Sequence, residues 1–225
     1  MKQKELAEYI KNQNKKLKMQ KIGSLQIVFK DEFVGDLNYE KVFNTINFML
    51  PDHFLDLIDI VYVGQFDLFK DGDYNAAYEN GAVYVTNEQD NQADLIDDLI
   101  HEIAHAVEEA YDHEIYSDEM IQKNFLAKRR KIKVILDHEG YNIANIDFSN
   151  PYYSEDMDIF LRDEVGYEAL HNLIPGLFLA PYSISSLREY FARGFEEFYL
   201  GRPVNLDKTC PYIYKKLLRL HENSE

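Results

Sequence analysis

His101-Glu-Ile-Ala-His105 is the stretch of sequence that most strongly determines the expected fold. Residues four apart lie on one face of an α-helix, so the imidazoles of His101 and His105 point toward a common position. Two neutral imidazoles in that arrangement can bind one Zn²⁺ ion. Glu102 lies next to them, where its carboxylate can reach a water molecule at the metal and act as a general base. The pattern therefore predicts a helical zinc site with one ion per chain.

Apolar residues surround the two histidines and predict a largely buried helix. The apolar positions are Leu95, Ile96, Leu99, Ile100, Ile103, Ala104, Ala106 and Val107. Buried histidines need partners, and a shared metal supplies one for both. We therefore favour zinc over two hydrogen-bonded core histidines, and the spacing is typical of metalloproteases.

A zinc site of this type needs a third protein ligand, and the same helix cannot supply it. At 1.5 Å per residue, Glu109 and His113 lie roughly 12 and 18 Å from His101 along the axis. The extended metzincin pattern is excluded as well, because Glu108 and Tyr111 stand where it requires glycine and histidine. A ligand from a second helix is therefore expected.

The best candidate for that ligand is Glu189, in a second predicted helix over 186–200. Apolar and aromatic side chains recur there at helical spacing, with Ser185 or Ser186 as the N-cap and Gly201 after the end. Ser186 and Glu189 also match the Ser-x-x-Glu capping box, in which the glutamate caps the helix. From these residues alone, both interpretations of Glu189 stay open.

Small side chains support the metal interpretation. Ala192 and Gly194 make one flank of the second helix thin, which predicts a close approach to the histidine helix. Glu164 and Glu168 are rival third ligands, but no small-residue flank accompanies them.

The two motifs together resemble a known family. His-Glu-Ile-Ala-His-Ala-Val-Glu-Glu at 101–109 and Arg-Glu-Tyr-Phe-Ala-Arg-Gly-Phe at 188–195 are similar to the zinc peptidase domain of the anthrax lethal factor family. That family also includes the Pro-Pro endopeptidases. The resemblance covers approximately residues 76–220. It implies an α+β, zincin-like fold, with a small mixed sheet, an active-site helix and a mostly helical C-terminal half, and it implies Glu189 as the third zinc ligand.

The resemblance also implies an oxyanion donor. In this family a tyrosine seven residues before the glutamate ligand stabilises the oxyanion, and Tyr182 has that spacing from Glu189 in Ala-Pro-Tyr-Ser. Without the resemblance, Tyr182 is one of 17 tyrosines, and an ordinary surface or core role is the simpler interpretation.

A substrate-binding strand is implied in the same way. In this class the strand before the zinc helix is an exposed edge that pairs with the substrate backbone. That description assigns substrate binding to the run 82–86, and in particular to Ala82, Val83, Tyr84 and Val85. An ordinary edge strand without a ligand is the alternative.

The remaining pattern predicts a small sheet followed by helices. Before the zinc helix we expect strands at 24–30 and 59–63, a helix at 38–50 stopped by Pro51, two extended runs within 76–86 about the Asn80-Gly81 turn, and Asp90 or Asn91 as helix cap. After it we expect helices at 117–137 and near 155–173. The basic run at 128–133 is predicted to be a solvated helix face.

Length and composition indicate one enzyme-sized domain. With 225 residues and 46% hydrophobic positions, residues 22–225 can form a single core. Residues 1–21 carry seven lysines and two glutamates and are predicted to form a basic helix or arm. His105 and Glu189 are 84 positions apart, more than the family resemblance implies, so we expect an insertion at about 114–181.

Charge and targeting features restrict the kinds of partner and the cellular location that we expect. A net charge of −16 argues against nucleic acid and mildly favours basic or neutral peptides. The N terminus lacks an apolar signal-peptide core, and no stretch is long and apolar enough for a membrane span. With one cysteine there is no intrachain disulfide. We expect a soluble protein, cytoplasmic or released without a signal peptide, with no membrane partner and no predicted oligomeric state.

These features predict a zinc metalloendopeptidase that acts on a peptide or protein substrate. The alternative is a zincin-fold binding or structural protein, phage- or toxin-associated, in which zinc only holds the fold. A closed site with four protein ligands would support the alternative, and a site with an open fourth position would support the enzyme.

Overall fold

The computed structural model describes residues 18–69, 74–201 and 203–222. Within these residues the fold is α+β, with one five-stranded mixed sheet and ten α-helices, which confirms the predicted class. The strands are β1 Lys18–Ile22, β2 Leu25–Phe29, β3 Ile60–Val63, β4 Ala76–Glu79 and β5 Ala82–Val85. The helices are α1 Tyr39–Met49, α2 Asp52–Leu55, α3 Gln92–Ala110, α4 Asp112–Tyr116, α5 Met120–His138, α6 Glu155–Ile159, α7 Tyr167–Leu173, α8 Leu187–Tyr199, α9 Pro203–Thr209 and α10 Pro211–Glu222.

The helix caps agree with the sequence. The Asn38 side chain caps α1, and the Asn91 side chain accepts hydrogen bonds from two main-chain N–H groups at the start of α3. Ser186 caps α8. The predicted helix near 155–173 is broken into α6, a π-helical turn at Phe160–Val165 and α7. Gly166, with φ of 83°, separates the turn from α7.

The strand order is β1-β2-β3-β5-β4, and it corrects one prediction. β5 pairs in parallel with β3 on one side and antiparallel with β4 on the other, so it is an inner strand. The prediction that Ala82, Val83, Tyr84 and Val85 form an exposed edge is therefore wrong. Their main-chain groups are already paired on both sides. The edge strand next to α3 is β4.

The predicted N-terminal arm at 1–21 falls mostly outside the described residues. Its last four residues, 18–21, belong to β1 and pair antiparallel with β2, so this part is a strand and not a helix. Lys18 stands opposite Phe29, and its ammonium lies over that ring at 5.1 Å from the centroid.

One continuous apolar core joins the sheet to the helices. α3 contacts the sheet through β4 and β5 and also packs against α8. Side chains from the 114–181 segment, including Phe125, Phe160 and Phe178, belong to the same core. None of the described helices has the length and apolarity needed to cross a membrane.

The basic run at 128–133 is not a fully solvated face, contrary to the prediction. Lys128 and Arg129 are buried. The Lys128 ammonium donates to the Tyr190 hydroxyl at 2.7 Å. The Arg129 guanidinium has no carboxylate within ion-pair distance among the described residues and instead donates to main-chain oxygens of Asn150, Ile184 and Ser185. These carbonyls satisfy a buried cation that the local charge pattern places in solvent.

Gly194 serves a different contact from the one predicted. A Cβ atom at this position would lie 2.7 Å from Cγ2 of Ile213, so the missing side chain makes room for α10 and not for α3. The close approach of α8 to α3 does not depend on it.

We expect Gly194→Val to lower the free energy of unfolding by about 1–3 kcal/mol, because the added atoms overpack the contact with Ile213. Denaturant titration measures the effect. The double variant Gly194→Val/Ile213→Ala should lose less stability than the sum of the two single variants, because the alanine restores space. Strict additivity would contradict this packing.

Candidate metal centre and active site

Three predicted ligands converge between α3 and α8. Nε2 of His101 lies 3.1 Å from Oε2 of Glu189, and Nε2 of His105 lies 3.6 Å from Oε1 of the same carboxylate. The two imidazole rings are nearly perpendicular, with centroids 4.8 Å apart. The Ser186 hydroxyl accepts the Glu189 main-chain N–H at 3.1 Å, so the serine caps the helix while the glutamate side chain faces the histidines.

The donor set fits a zinc ion. Oε2 of Glu189 is buried and has no hydrogen bond of acceptable geometry, which is costly for a carboxylate oxygen. A cation between this oxygen and the two Nε2 atoms would remove that cost. Two imidazole nitrogens and one carboxylate oxygen are the protein ligands of many catalytic zinc sites. His101, His105 and Glu189 would hold the ion.

Glu102 also lies close to the two histidines, so it must be compared with Glu189 as a third ligand. The ligand-type atoms of His101, Glu102 and His105 all lie within 4.8 Å of one another. We favour Glu189 as the third ligand, because its carboxylate reaches both Nε2 atoms from the opposite helix. Glu164 and Glu168, the rival candidates, are exposed, and no ion pair among the described residues joins either of them to a histidine.

His101 is oriented by a second carboxylate. Oε1 of Glu196 lies 2.5 Å from its Nδ1, and Arg193 pairs with the other oxygen of Glu196. Burial alone would lower the pKa of His101, but the carboxylates of Glu189 and Glu196 beside it raise it to about 10. The ring is therefore charged without metal, and loss of the Nε2 proton, with the Nδ1–H kept on Glu196, would leave Nε2 as the metal-binding nitrogen. Glu196 is not among the predicted site residues, although it lies two helical turns after Glu189 and so on the same face.

His105 has a different environment. Arg188 Nε donates to its Nδ1 at 3.0 Å, and Oε2 of Glu108 lies 3.9 Å from the same nitrogen. Burial lowers the pKa of His105 to about 3, and the positive charges of His101 and Arg188 act in the same direction. His105 is therefore neutral, the form in which imidazole binds metals.

Glu102 is positioned as the predicted base. Its side chain is buried, and burial together with the Glu189 charge raises its pKa to about 7. The main-chain N–H of Tyr78 faces its carboxylate and acts in the opposite direction, favouring the charged form. Tyr78 belongs to β4, so this edge strand of the described sheet runs beside the carboxylate.

Tyr182 lies in a 3-10 turn, Tyr182–Ile184, directly before α8. Its ring is 42% exposed and meets the Tyr167 ring edge-on at 6.4 Å. Burial, followed by the charges of Glu189 and Asp158, raises the pKa of its phenol. The hydroxyl therefore stays protonated at neutral pH and can donate a hydrogen bond.

No family model, no curated protein and no solved structure matches this chain. Function is therefore inferred from the chemistry of the side chains themselves and from the two motifs.

Proposed function

We propose that this protein is a zinc-dependent endopeptidase with a zincin-like fold, related to the lethal factor-like and Pro-Pro endopeptidases. The observation that carries the proposal is the Glu189 carboxylate, which reaches Nε2 of both histidines while its buried Oε2 lacks a hydrogen bond. A buried glutamate next to this set supplies the base that hydrolysis requires.

When bound, Zn²⁺ supplies a Lewis acid that lowers the pKa of a water molecule toward ~7 and polarises a carbonyl group. Glu102 takes a proton from the attacking water and returns it to the nitrogen of the leaving peptide. The Tyr78 N–H faces its carboxylate and favours the charged form that can accept this proton. The Tyr182 hydroxyl donates to the oxygen on which negative charge develops.

β4, which has no further strand beside it among the described residues, is the proposed binding strand for the substrate backbone. Ala76–Glu79 replaces Ala82–Val85 in this role, because β5 is paired on both sides. A peptide added to β4 would run beside Glu102, since the Tyr78 main-chain N–H faces that side chain.

A structural zinc site is the competing function. Structural zinc has four protein ligands, whereas a catalytic site keeps one position open. The ligand-type atom of Glu102 lies within 4.8 Å of those of His101 and His105, so Glu102 could close such a set. A structural role would therefore remove the proposed base from catalysis.

A peptide-library cleavage screen tests the proposal. We expect the zinc-loaded protein to cut internal peptide bonds, to lose this activity on treatment with a chelator, and to regain it with one equivalent of zinc. Cleavage that survives complete metal removal would contradict the proposal. So would a zinc-loaded protein that cleaves nothing in a broad library.

Tyr182→Phe is expected to lower kcat by roughly 10–10³-fold, comparable to the loss of one oxyanion donor. A phenol that acts on the developing oxyanion contributes little to ground-state binding, so KM and zinc content should be retained. Tyr153→Phe, a neighbouring exposed tyrosine, is the matched control and should cleave at the wild-type rate. If Tyr182→Phe and Tyr153→Phe cleave at equal rates, a group other than Tyr182 donates the hydrogen bond to the oxyanion.

A further inference from the structure

Nδ1 of His105 has two polar neighbours of opposite character. Arg188 Nε is the nearer at 3.0 Å and donates a hydrogen bond to it. Oε2 of Glu108 is farther away, at 3.9 Å. An imidazole nitrogen that accepts a hydrogen bond carries no proton, so the proton of neutral His105 is on Nε2.

This arrangement conflicts with metal binding. Nε2 is the nitrogen that faces Glu189, and it must present a lone pair to a metal. The ring proton of His105 then moves to Nδ1, which becomes a donor. A guanidinium has five donors and no acceptor, so Arg188 cannot accept that proton's hydrogen bond. The carboxylate of Glu108 can.

We propose that Glu108 and Arg188 are opposing positioning residues. On metal binding, the hydrogen-bond partner of His105 Nδ1 changes from Arg188 to Glu108. Glu108 thereby favours the metal-loaded site, and Arg188 favours the metal-free site. The inference rests on the zinc site of the proposed function and not on peptide hydrolysis.

The neighbouring groups make this exchange easy. Oε1 of Glu108 accepts the Tyr116 hydroxyl, which holds the carboxylate in place and leaves Oε2 directed at His105. A shortening of about 1 Å would turn the 3.9 Å separation into a normal hydrogen bond. Arg188 is solvent-exposed, so its side chain can leave Nδ1 and remain hydrated.

Substitutions of these two residues are expected to change zinc affinity in opposite directions. We expect Glu108→Leu to weaken zinc binding by about 10–100-fold, the usual cost of losing the partner of a metal-binding histidine. Arg188→Met should tighten zinc binding by about tenfold, because the hydrogen bond that stabilises the metal-free state is lost. Competition with a chromophoric chelator measures both dissociation constants.

One control isolates the effect. Arg162→Met removes another exposed cation, one that pairs with Asp158 and does not contact His105. This variant should bind zinc as the wild type does. If Arg162→Met tightens zinc binding as much as Arg188→Met does, the effect is due to net charge alone, and the inference is overturned.

Ring ¹⁵N–¹H spectra of the wild-type protein provide a readout that needs neither activity nor a stable Glu108 variant. His105, assigned by its substitution with Asn, should be protonated on Nε2 without metal and on Nδ1 with zinc. Weaker or unchanged zinc binding in Arg188→Met, or an Nδ1–H in both states, would overturn the inference alone. A wild-type protein that binds no zinc would overturn the proposed metal site and this inference together.

Discussion

Replacing Glu102 by Gln should lower the rate of peptide cleavage by about 10²–10⁴-fold or more while the protein keeps its fold and its zinc. Gln has nearly the same volume as Glu, so the buried site beside His101 is not disturbed by size. The amide has no basic oxygen of comparable strength, so the proton of the attacking water has no acceptor. Steady-state kinetics on a peptide found in the library screen, together with metal analysis, measure both parts.

The control for this change is Glu114→Gln, the same substitution at an exposed position on α4. It should leave cleavage at the wild-type rate. If Glu102→Gln also cleaves at that rate, Glu102 is not the base, and the structural role of the zinc gains support.

The second large effect is expected for Glu189→Ala. Loss of this carboxylate removes one of three ligands and leaves two histidines, so zinc affinity should fall by more than the ~100-fold that loss of an outer partner can cost. Cleavage should disappear with the metal. Zinc content after dialysis against a weak chelator is the measurement.

His113→Ala is the matched control, because His113 belongs to the short helix α4 and is exposed. This variant should retain one zinc per chain. Full zinc occupancy in Glu189→Ala would contradict the ligand assignment and would bring Glu164 and Glu168 back into consideration.

Local sequence was sufficient to predict the parts of the fold that depend on local chemistry. The cap at Asn91 and the histidine-bearing helix after it follow from side chains a few residues apart. The same holds for Ser186 and α8. The convergence of His101, His105 and Glu189 required the family resemblance in addition, because 84 positions separate the last two residues.

The order of strands could not be predicted from local pattern. The Asn80-Gly81 turn correctly indicates a β4–β5 hairpin, but each strand of a hairpin keeps one free side. Parallel pairing with β3 occupies the free side of β5, and nothing in the run 82–85 specifies that long-range partner. The exposed edge next to Glu102 is therefore β4.

Buried polar contacts were missed for a similar reason. The sequence around Arg129 is typical of a charged surface helix, but the hydrogen-bond partners of Arg129 are carbonyl oxygens at least 21 positions away in the chain. Glu196 was detectable from its helical spacing to Glu189. The competition between Arg188 and Glu108 for His105 depends on the contact between α3 and α8, which only the folded chain provides.

The central claim is that His101, His105 and Glu189 hold a catalytic zinc ion. A zinc-edge anomalous difference map from crystals of the zinc-loaded protein tests it most directly. We expect one peak per chain, at about 2.0–2.2 Å from Nε2 of each histidine and from an oxygen of Glu189, with no fourth protein ligand. A peak elsewhere in the chain, or a site closed by a fourth protein side chain such as Glu102, would contradict the claim.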